Sequence, residues 1–181
     1  MAAADRTQEV LDAAYTCLTR YGVRRTTMDD IAAEMGVSRS AVYQYVRNKD
    51  AAFRLLAVRL HEQALARARK AASADAPVAD RVRGVLEAKL DLVLQLRGDS
   101  QHTAELLDAK ARLFGDICTA FTSDLHAVLT DLLRRSGVED PEGAAQICVS
   151  LVVGLENSPD PRPLLARASD ALYAGLADRA R

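Results

Sequence analysis

The sequence predicts an all-α protein of about nine helices, and three features of the chain lead to this prediction. The composition is rich in Ala, Leu and Arg, which favour helices, and only 4% of the 181 residues are aromatic. Apolar residues recur at intervals of three and four over most of the chain, which is the spacing of an amphipathic helix. Gly and Pro lie almost entirely between these periodic segments. Alternating runs of β-branched and aromatic residues are missing, so no strand is expected.

The N-terminal part of the chain predicts three helices, over residues 5–22, 27–36 and 38–46. Asp5 or Thr7 can cap the first of them, because a short polar side chain can accept a hydrogen bond from a free backbone N–H group. A glycine ends each of the first two helices, as is common after a last helical turn. These three helices are predicted to form a domain over residues 1–48.

The remainder, residues 49–181, predicts a second domain that is also helical. Its six helices are expected over about 49–72, from the loop at 73–80 to the Arg-Gly-Asp-Ser sequence at 97–100, over 102–113, over 117–135, over 141–156 and after Pro161. The helix over 141–156 is apolar on nearly all of its faces, which is typical of a helix that is buried on two sides.

Residues 28–46 have the spacing of a helix-turn-helix. Ala32 is small enough for a crossing helix, Gly36 can take the left-handed conformation that the turn needs, and Ser38 can cap the second helix. No Asp or Glu occurs between Gly36 and Lys49. Arg can bridge guanine, Gln can bridge adenine and Ala can contact the thymine methyl group, so this helix is suited to double-stranded DNA. The predicted DNA-binding residues are Thr27, Ser38, Arg39, Ser40, Ala41, Tyr43, Gln44, Tyr45 and Lys49.

The stretch VLDAAYTCLTRYGVRRTTMDDIAAEMGVSRSAVYQYVRNKDAAF resembles the DNA-binding domain of the tetracycline-repressor-like (TetR) family of transcriptional regulators. The resemblance covers about residues 6–55, and beyond residue 60 only the number and layout of the helices are similar. It implies phosphate contacts by Thr27, Tyr43 and Lys49, and base contacts by Arg39, Ser40, Ala41 and Gln44. The sequence departs from the family pattern at Gln44, Tyr45 and Val46, so the operator sequence is not predicted. Tyr45 is expected to be half-packed.

The resemblance also implies a homodimer that is formed by the last two helices, and a C-terminal domain that binds a small organic effector. The apolar helix over 141–156 and the small residues of the last helix favour the dimer, and an interior helix in a monomeric bundle is the alternative. The predicted interface residues are Ile147, Leu151, Leu155, Leu165, Ala168, Ala171, Leu172 and Gly175. The predicted effector-binding residues are His102, Leu106, Arg112, Phe114, Cys118, Phe121 and Ser150.

Charge, cysteine content and hydropathy bear on metal binding, secretion and membrane association. The net charge of −1 is uninformative, but Lys and Arg outnumber Asp and Glu in the first 60 residues. Three widely separated cysteines without a CxxC motif indicate buried thiols in a reducing compartment, and no metal site or cofactor is predicted. The N-terminus lacks the apolar stretch of a secretory signal, and the apolar run ICVSLVVGL is too short to span a bilayer. We therefore expect a cytoplasmic protein without membrane contact.

An enzymatic activity is not predicted. His102, Glu105 and Asp108 lie three residues apart, but this spacing is usual for a solvated helix face, and no nucleophile elbow, P-loop, dinucleotide fingerprint or zinc-protease motif accompanies them. The alternative to a DNA-binding regulator is an all-helical protein-interaction module whose helix-turn-helix no longer reads DNA. That alternative explains the apolar C-terminal helix but not the cationic segment over 36–49.

Overall fold

A computed structural model of the protein describes residues 2–98, 102 and 113–178, and over these residues the chain forms eight α-helices and no strand. The all-α prediction is confirmed. The predicted helix over 102–113 lies almost wholly outside the described residues. The helices are α1 (Ala2–Arg25), α2 (Met28–Met35), α3 (Arg39–Val42), α4 (Lys49–Ala72), α5 (Val78–Gly98), α6 (Gly115–Arg135), α7 (Pro141–Leu155) and α8 (Pro161–Asp178).

The chain divides into two compact units. The first takes its described residues from Met1–Leu60 and Gln95–Cys118, and the second takes them from His61–Leu94 and Thr119–Arg181. These units reflect packing, and they do not coincide with the predicted domain division between residues 48 and 49, which stays a prediction.

The long helix α1 packs into the first unit through one face and is interrupted near its end. At Gly22 the backbone leaves the helical conformation, with φ 81° and ψ 170°, and a last turn continues to Arg25. The predicted end at Gly22 is therefore a real break, although one more turn follows it. Thr26 is fully buried beyond this turn, and its hydroxyl donates to the Gly22 carbonyl at 2.7 Å. The buried face of α1 consists of Val10, Leu11, Ala13, Ala14, Cys17 and Leu18.

The second unit has an apolar core that α4, α5, α6, α7 and α8 build together. One member of this core is Leu165, which was predicted to lie at a dimer interface. Because Leu165 is 0% exposed within its own chain, it packs in the core and does not offer a surface to another chain. The largest fully buried side chains of this unit are Leu86, Leu90, Leu125, Leu129, Leu133 and Leu165.

The three cysteines, Cys17, Cys118 and Cys148, are free thiols. Burial raises the pKa of Cys17 and of Cys148 to about 11 in each case, so both stay protonated near neutral pH and pack as small apolar groups. None of the described helices is long and apolar enough to cross a membrane.

Candidate nucleic-acid interface

Helix α2 begins with a complete capping box. The Thr27 hydroxyl accepts from the backbone N–H of Asp30, and the Asp30 carboxylate accepts from the backbone N–H of Thr27 at 2.8 Å. The Thr27 hydroxyl also donates a hydrogen bond to Asp30 Oδ2, with 2.7 Å between the two oxygens. In this conformation Thr27 caps α2 and has no proton left for a phosphate, in contrast to its predicted phosphate contact.

The turn after α2 is made by Gly36 in the left-handed conformation, with φ 67° and ψ 30°. Its N–H and that of Val37 donate to the Ala33 and Ala32 carbonyls, at 3.1 and 3.0 Å, and so complete the end of the helix. A side chain at residue 36 would be strained because of the positive φ angle, although the space around it is open. The turn thus fixes the direction in which α3 begins.

Helix α3 is shorter than the predicted helix over 38–46. Ser38 caps it as predicted, with its hydroxyl accepting from the backbone N–H of Ala41, but the α-helical part ends at Val42. Residues 43–45 continue as tight turns in which Gln44 N–H donates to Ala41 and Tyr45 N–H donates to Val42. Bonds between residues three apart are common where a helix ends, because they satisfy carbonyls that have no partner four residues later.

Two valines of this segment are buried, and most of the predicted base-reading side chains near them in sequence are exposed. Val42 and Val46 are buried within the first unit, whereas Tyr43 is exposed and Tyr45 is half-buried. The half-packed position expected for Tyr45 is therefore observed. The other predicted residues of this segment are exposed or, in the case of Ala41, half-buried: Ser38, Arg39, Ser40, Ala41 and Gln44.

The guanidinium group of Arg39 lies between a carboxylate and a phenol. Its Nη1 donates to Asp29 Oδ2 at 3.0 Å, and its Nη2 donates to the Tyr43 hydroxyl at 3.1 Å. The Arg39 guanidinium carbon also lies 5.5 Å from the centre of the Tyr43 ring. The hydrogen bond to Tyr43 and then the charge of Asp29 raise the pKa of Arg39 above its ordinary value. Because the Tyr43 hydroxyl accepts this bond, its own proton remains available to an acceptor such as a phosphate oxygen.

Lys49 was predicted to contact phosphate, but the structure gives it a different role. Its ammonium group donates to the carbonyls of Val23, Arg24 and Thr26, at 3.1, 3.0 and 2.9 Å. An ammonium group has three N–H donors, so all of its donors are directed at the last residues of α1 and at Thr26, which follows it. Lys49 therefore completes the C-terminus of α1, where a cation also complements the helix dipole.

The described members of the predicted effector-binding set are divided between the two units. Phe114 and Phe121 are buried, and Cys118 and His102 are half-buried. Within the second unit the Phe121 ring meets the His61 ring edge-on, with centroids 5.0 Å apart. Ser150 is exposed on α7 and accepts from the Gln146 side chain at 3.3 Å, so it belongs to a surface and not to a core. Leu106 and Arg112 lie outside the described residues.

The last two helices carry exposed apolar side chains that sequence reasoning found only in part. Ile147 on α7 was predicted and is exposed, whereas Val153 on α7 and Leu164 on α8 are also exposed and were missed. Another face of α7 is buried in the core. Because α7 is apolar on nearly all faces, its sequence does not show which positions face outward. Exposure of the other predicted interface residues is partial for Leu151, Leu155, Ala168 and Leu172 and larger for Ala171 and Gly175.

Comparison with known proteins agrees with this geometry. Residues 10–56 match the family described as bacterial regulatory proteins, tetR family. The HTH-type transcriptional regulator TtgR of Pseudomonas putida is 31% identical over 162 residues, which cover 81% of this chain and 76% of TtgR. The chain belongs to the tetR family of bacterial regulatory proteins. The predicted family is thereby confirmed, and since this is a family of transcriptional regulators and not of enzymes, the chain is not an enzyme.

Solved structures share the fold of this tetR-family protein. SmeT in complex with triclosan is 26% identical, with a TM-score of 0.69, and the match covers 97% of this chain and 91% of SmeT. A transcriptional regulator from Rhodococcus sp. Rha1 is 19% identical, with a TM-score of 0.74 and coverage of 95% of this chain and 96% of that one. A further structure of SmeT describes it as the repressor of the Stenotrophomonas maltophilia multidrug efflux pump SmeDEF, at 22% identity, a TM-score of 0.66 and coverage of 93% and 89%. The family implies DNA binding through the helix-turn-helix.

Proposed function

We propose that this tetR-family protein is a ligand-responsive repressor that binds a palindromic DNA operator as a homodimer and leaves it when a small organic effector binds. The observation that carries the proposal is the capped α3 with the turn that follows it: Arg39 and Ser40 on the helix and Gln44 in the turn are exposed, while Val42 is buried. Arg and Gln are the side chains whose paired hydrogen-bonding groups best match guanine and adenine in the major groove.

The homodimer is supported by the exposed apolar residues of α7 and α8. These two helices pack against each other within the second unit, and Ile147, Val153 and Leu164 are left at the surface. Gly154 and Gly175 are exposed as well, with open space where a side chain would lie, so another helix can approach their backbones closely. A two-fold dimer presents two α3 helices and therefore matches a palindrome whose half-sites are about 34 Å apart or a multiple of that spacing.

Effector control is supported by the likeness to SmeT, one of whose structures is a complex with the small organic compound triclosan. A ligand shifts a protein between two conformations only by as much as its affinity differs between them. The effector of this protein therefore has to bind the DNA-free conformation more tightly than the DNA-bound one. Phe121, whose ring meets that of His61 within the second unit, remains a proposed effector-binding residue.

Selection from a library of random DNA duplexes tests the DNA-binding part of the proposal. We expect the protein to enrich a palindrome, and the logarithm of its affinity to fall linearly and steeply with the logarithm of salt concentration, because phosphate contacts release counterions. Gln44→Ala is expected to weaken preference at one base of each half-site by about 1–3 kcal/mol. Gln63→Ala on α4 is the matched control, since Gln63 is also an exposed glutamine but lies in the other unit.

Enrichment of no sequence at all would reject DNA reading and leave the protein-interaction module as the remaining function. Equal selectivity of wild type and Gln44→Ala would instead remove Gln44 from the base-reading set. For the effector, DNA release is measured by fluorescence anisotropy against a panel of amphipathic aromatic compounds that includes triclosan. Compounds that bind the protein but leave the DNA affinity unchanged would contradict ligand-responsive repression.

A further inference from the structure

The environment of Arg39 contains one residue that the DNA-binding prediction did not include. Asp29, in the first turn of α2, accepts a hydrogen bond from Arg39 Nη1 at 3.0 Å, while Tyr43, one turn further along the chain from Arg39, accepts from Nη2. The two anchors come from different sides, since Asp29 belongs to the first helix of the helix-turn-helix and Tyr43 follows the second. Arg39 is thus held by both helices although it is exposed.

This arrangement leaves enough donors for recognition of a base. A guanidinium group carries five N–H donors, and the bonds to Asp29 and Tyr43 use two of them. Two further N–H groups suffice for the O6 and N7 atoms of guanine. Arg39 can therefore read a guanine without giving up either anchor, and a side chain that is already held in place loses less rotamer freedom when it binds.

The charge of Asp29 has a second effect, which is the same for DNA of every sequence. A carboxylate next to α3 repels the phosphates of every duplex alike, so it lowers affinity for DNA of any sequence. The exposed ion pair with Arg39 adds little to the stability of the fold. Its effect is therefore expected in selectivity and not in folding.

We propose that Asp29 is a specificity-determining residue, which positions the Arg39 guanidinium for a guanine in the operator. The inference rests on the proposed function, because it needs a protein that reads a base sequence. Asp29 is a positioning residue in this scheme, since it acts through Arg39 and does not itself contact the base.

The test compares Asp29→Asn with a matched variant on the same helix. Glu34→Gln removes one negative charge from α2 as well, and the partner of Glu34 is also an arginine that lies over a tyrosine ring: Arg20 Nη1 is 3.2 Å from Glu34, and its guanidinium carbon is 5.7 Å from the centre of the Tyr21 ring. Each variant is taken through the same random-duplex selection as wild type. The affinities for the selected duplex and for a scrambled duplex are then measured at one salt concentration.

We expect Asp29→Asn to bind the scrambled duplex more tightly and to lower the ratio of selected to scrambled affinity by about 3- to 10-fold, with the loss confined to a guanine position. Glu34→Gln is expected to raise both affinities together and to keep the ratio within about twofold. In an Arg39→Lys background, which lacks the paired donors, Asp29→Asn should cause no further loss of base preference. Thermal melting of each variant confirms that the fold is retained.

If Asp29→Asn changes both affinities by the same factor, as Glu34→Gln does, Asp29 is only a surface charge and the inference is overturned. A further loss of preference in the Arg39→Lys background overturns it as well, because Asp29 would then act independently of Arg39. Failure of wild type to enrich any sequence rejects the proposed function itself and is seen before the variants are compared.

Discussion

The ammonium group of Lys49 donates a 2.9 Å hydrogen bond to the carbonyl of Thr26, and so joins the first residue of α4 to the segment between α1 and α2. The hydroxyl of Thr26 is buried and bonds back to Gly22, where α1 is interrupted. The start of α4 is therefore tied to the end of α1 and to the residue that follows it. The charge of Lys49 at the C-terminus of α1 stabilises the fold, and this effect does not depend on DNA.

Substitution of Lys49 by Met is expected to lower the free energy of unfolding by about 1–3 kcal/mol, because it leaves carbonyls at the end of α1 without their charged donor. Urea denaturation measures this change, and Arg47→Met is the control, since Arg47 is an exposed cation two residues away. The slope of DNA affinity against salt should stay the same in Lys49→Met. If Lys49→Met instead had normal stability, and the slope of DNA affinity against salt were reduced by about one, Lys49 would be a phosphate contact.

The ion pair between Arg54 and Asp116 predicts a pH dependence in the acid range. Arg54 Nη2 lies 2.6 Å from one carboxylate oxygen of Asp116, and its Nη1 lies 3.0 Å from the other. These hydrogen bonds are the main cause that lowers the pKa of Asp116 from its ordinary 3.8 to about 2. Because the folded-state pKa is below the unfolded one, the stabilisation is present above about pH 4 and is lost as the pH falls toward 2.

A carbon-detected NMR titration of the Asp116 carboxyl group checks this pKa directly. We expect a midpoint near 2 in wild type and a clear rise toward 3.8 in Arg54→Gln. Urea midpoints should also fall less between pH 5 and pH 3 in Asp116→Asn than in wild type. Asp124→Asn, which changes an exposed carboxylate on the same helix, serves as the control. An unchanged Asp116 midpoint in Arg54→Gln would show that Arg54 is not the cause.

The buried pair of Lys89 and Glu156 predicts a large loss of stability from a single substitution. Lys89 on α5 donates to Glu156, which follows the end of α7, and both side chains are buried in the second unit. Lys89→Met removes the cation of this pair while the Glu156 carboxylate stays buried, so we expect a loss of about 3–5 kcal/mol in urea denaturation. The double variant Lys89→Met, Glu156→Leu should recover most of this loss, because no buried charge remains.

The control for this prediction is Arg83→Met, which breaks the more exposed pairs with Asp80, Glu87 and Asp170 in the same unit. Such pairs contribute about 0–1 kcal/mol, so the loss should be small. If the double variant were as unstable as Lys89→Met, the cause would be lost packing of the lysine stem, and the interpretation as an uncompensated charge would be wrong.

The fold was predictable because the signals that set helix ends are local. Ser38 and Gly36 each act through bonds to backbone groups within a few residues, so their types and positions predict the caps that the structure contains. The predicted helix over 38–46 begins at its Ser38 cap for the same reason. Its exact helical length was not predicted, since the change to i→i+3 bonds after Val42 depends on how the segment is packed.

The roles of individual polar residues were harder to predict, because a sequence does not show which long-range partner a side chain chooses. Lys49 and Thr26 are 23 residues apart, and nothing in the local sequence indicates that they meet. Asp29 and Arg39 are 10 residues apart, and the sequence signal was available there, since an acid in the first turn of α2 can face the start of α3 across the tight turn. Leu165 was misplaced because helical spacing alone does not tell which apolar face a chain keeps for itself.

The homodimer leads to a prediction at the exposed face of α8. Leu164 and Leu55 are both leucines with 42% exposure, but Leu164 lies in the proposed interface and Leu55 lies on α4 in the other unit. Leu164→Asp places a carboxylate in an apolar contact on both protomers, so we expect the dimer dissociation constant to rise at least about 30-fold, which corresponds to roughly 2 kcal/mol. Sedimentation equilibrium at micromolar concentration measures it, and Leu55→Asp should sediment as wild type.

DNA-binding measurements show whether this interface is the one that the protein uses on its operator. A Leu164→Asp monomer carries an intact α3, so it should bind one half-site weakly and lose the strong preference for two half-sites at a fixed spacing. A wild-type protein that sediments as a monomer would refute the dimer. A Leu164→Asp protein that stays dimeric while Leu55→Asp dissociates would move the interface from α8 to α4, since the substituted residues are equally exposed leucines.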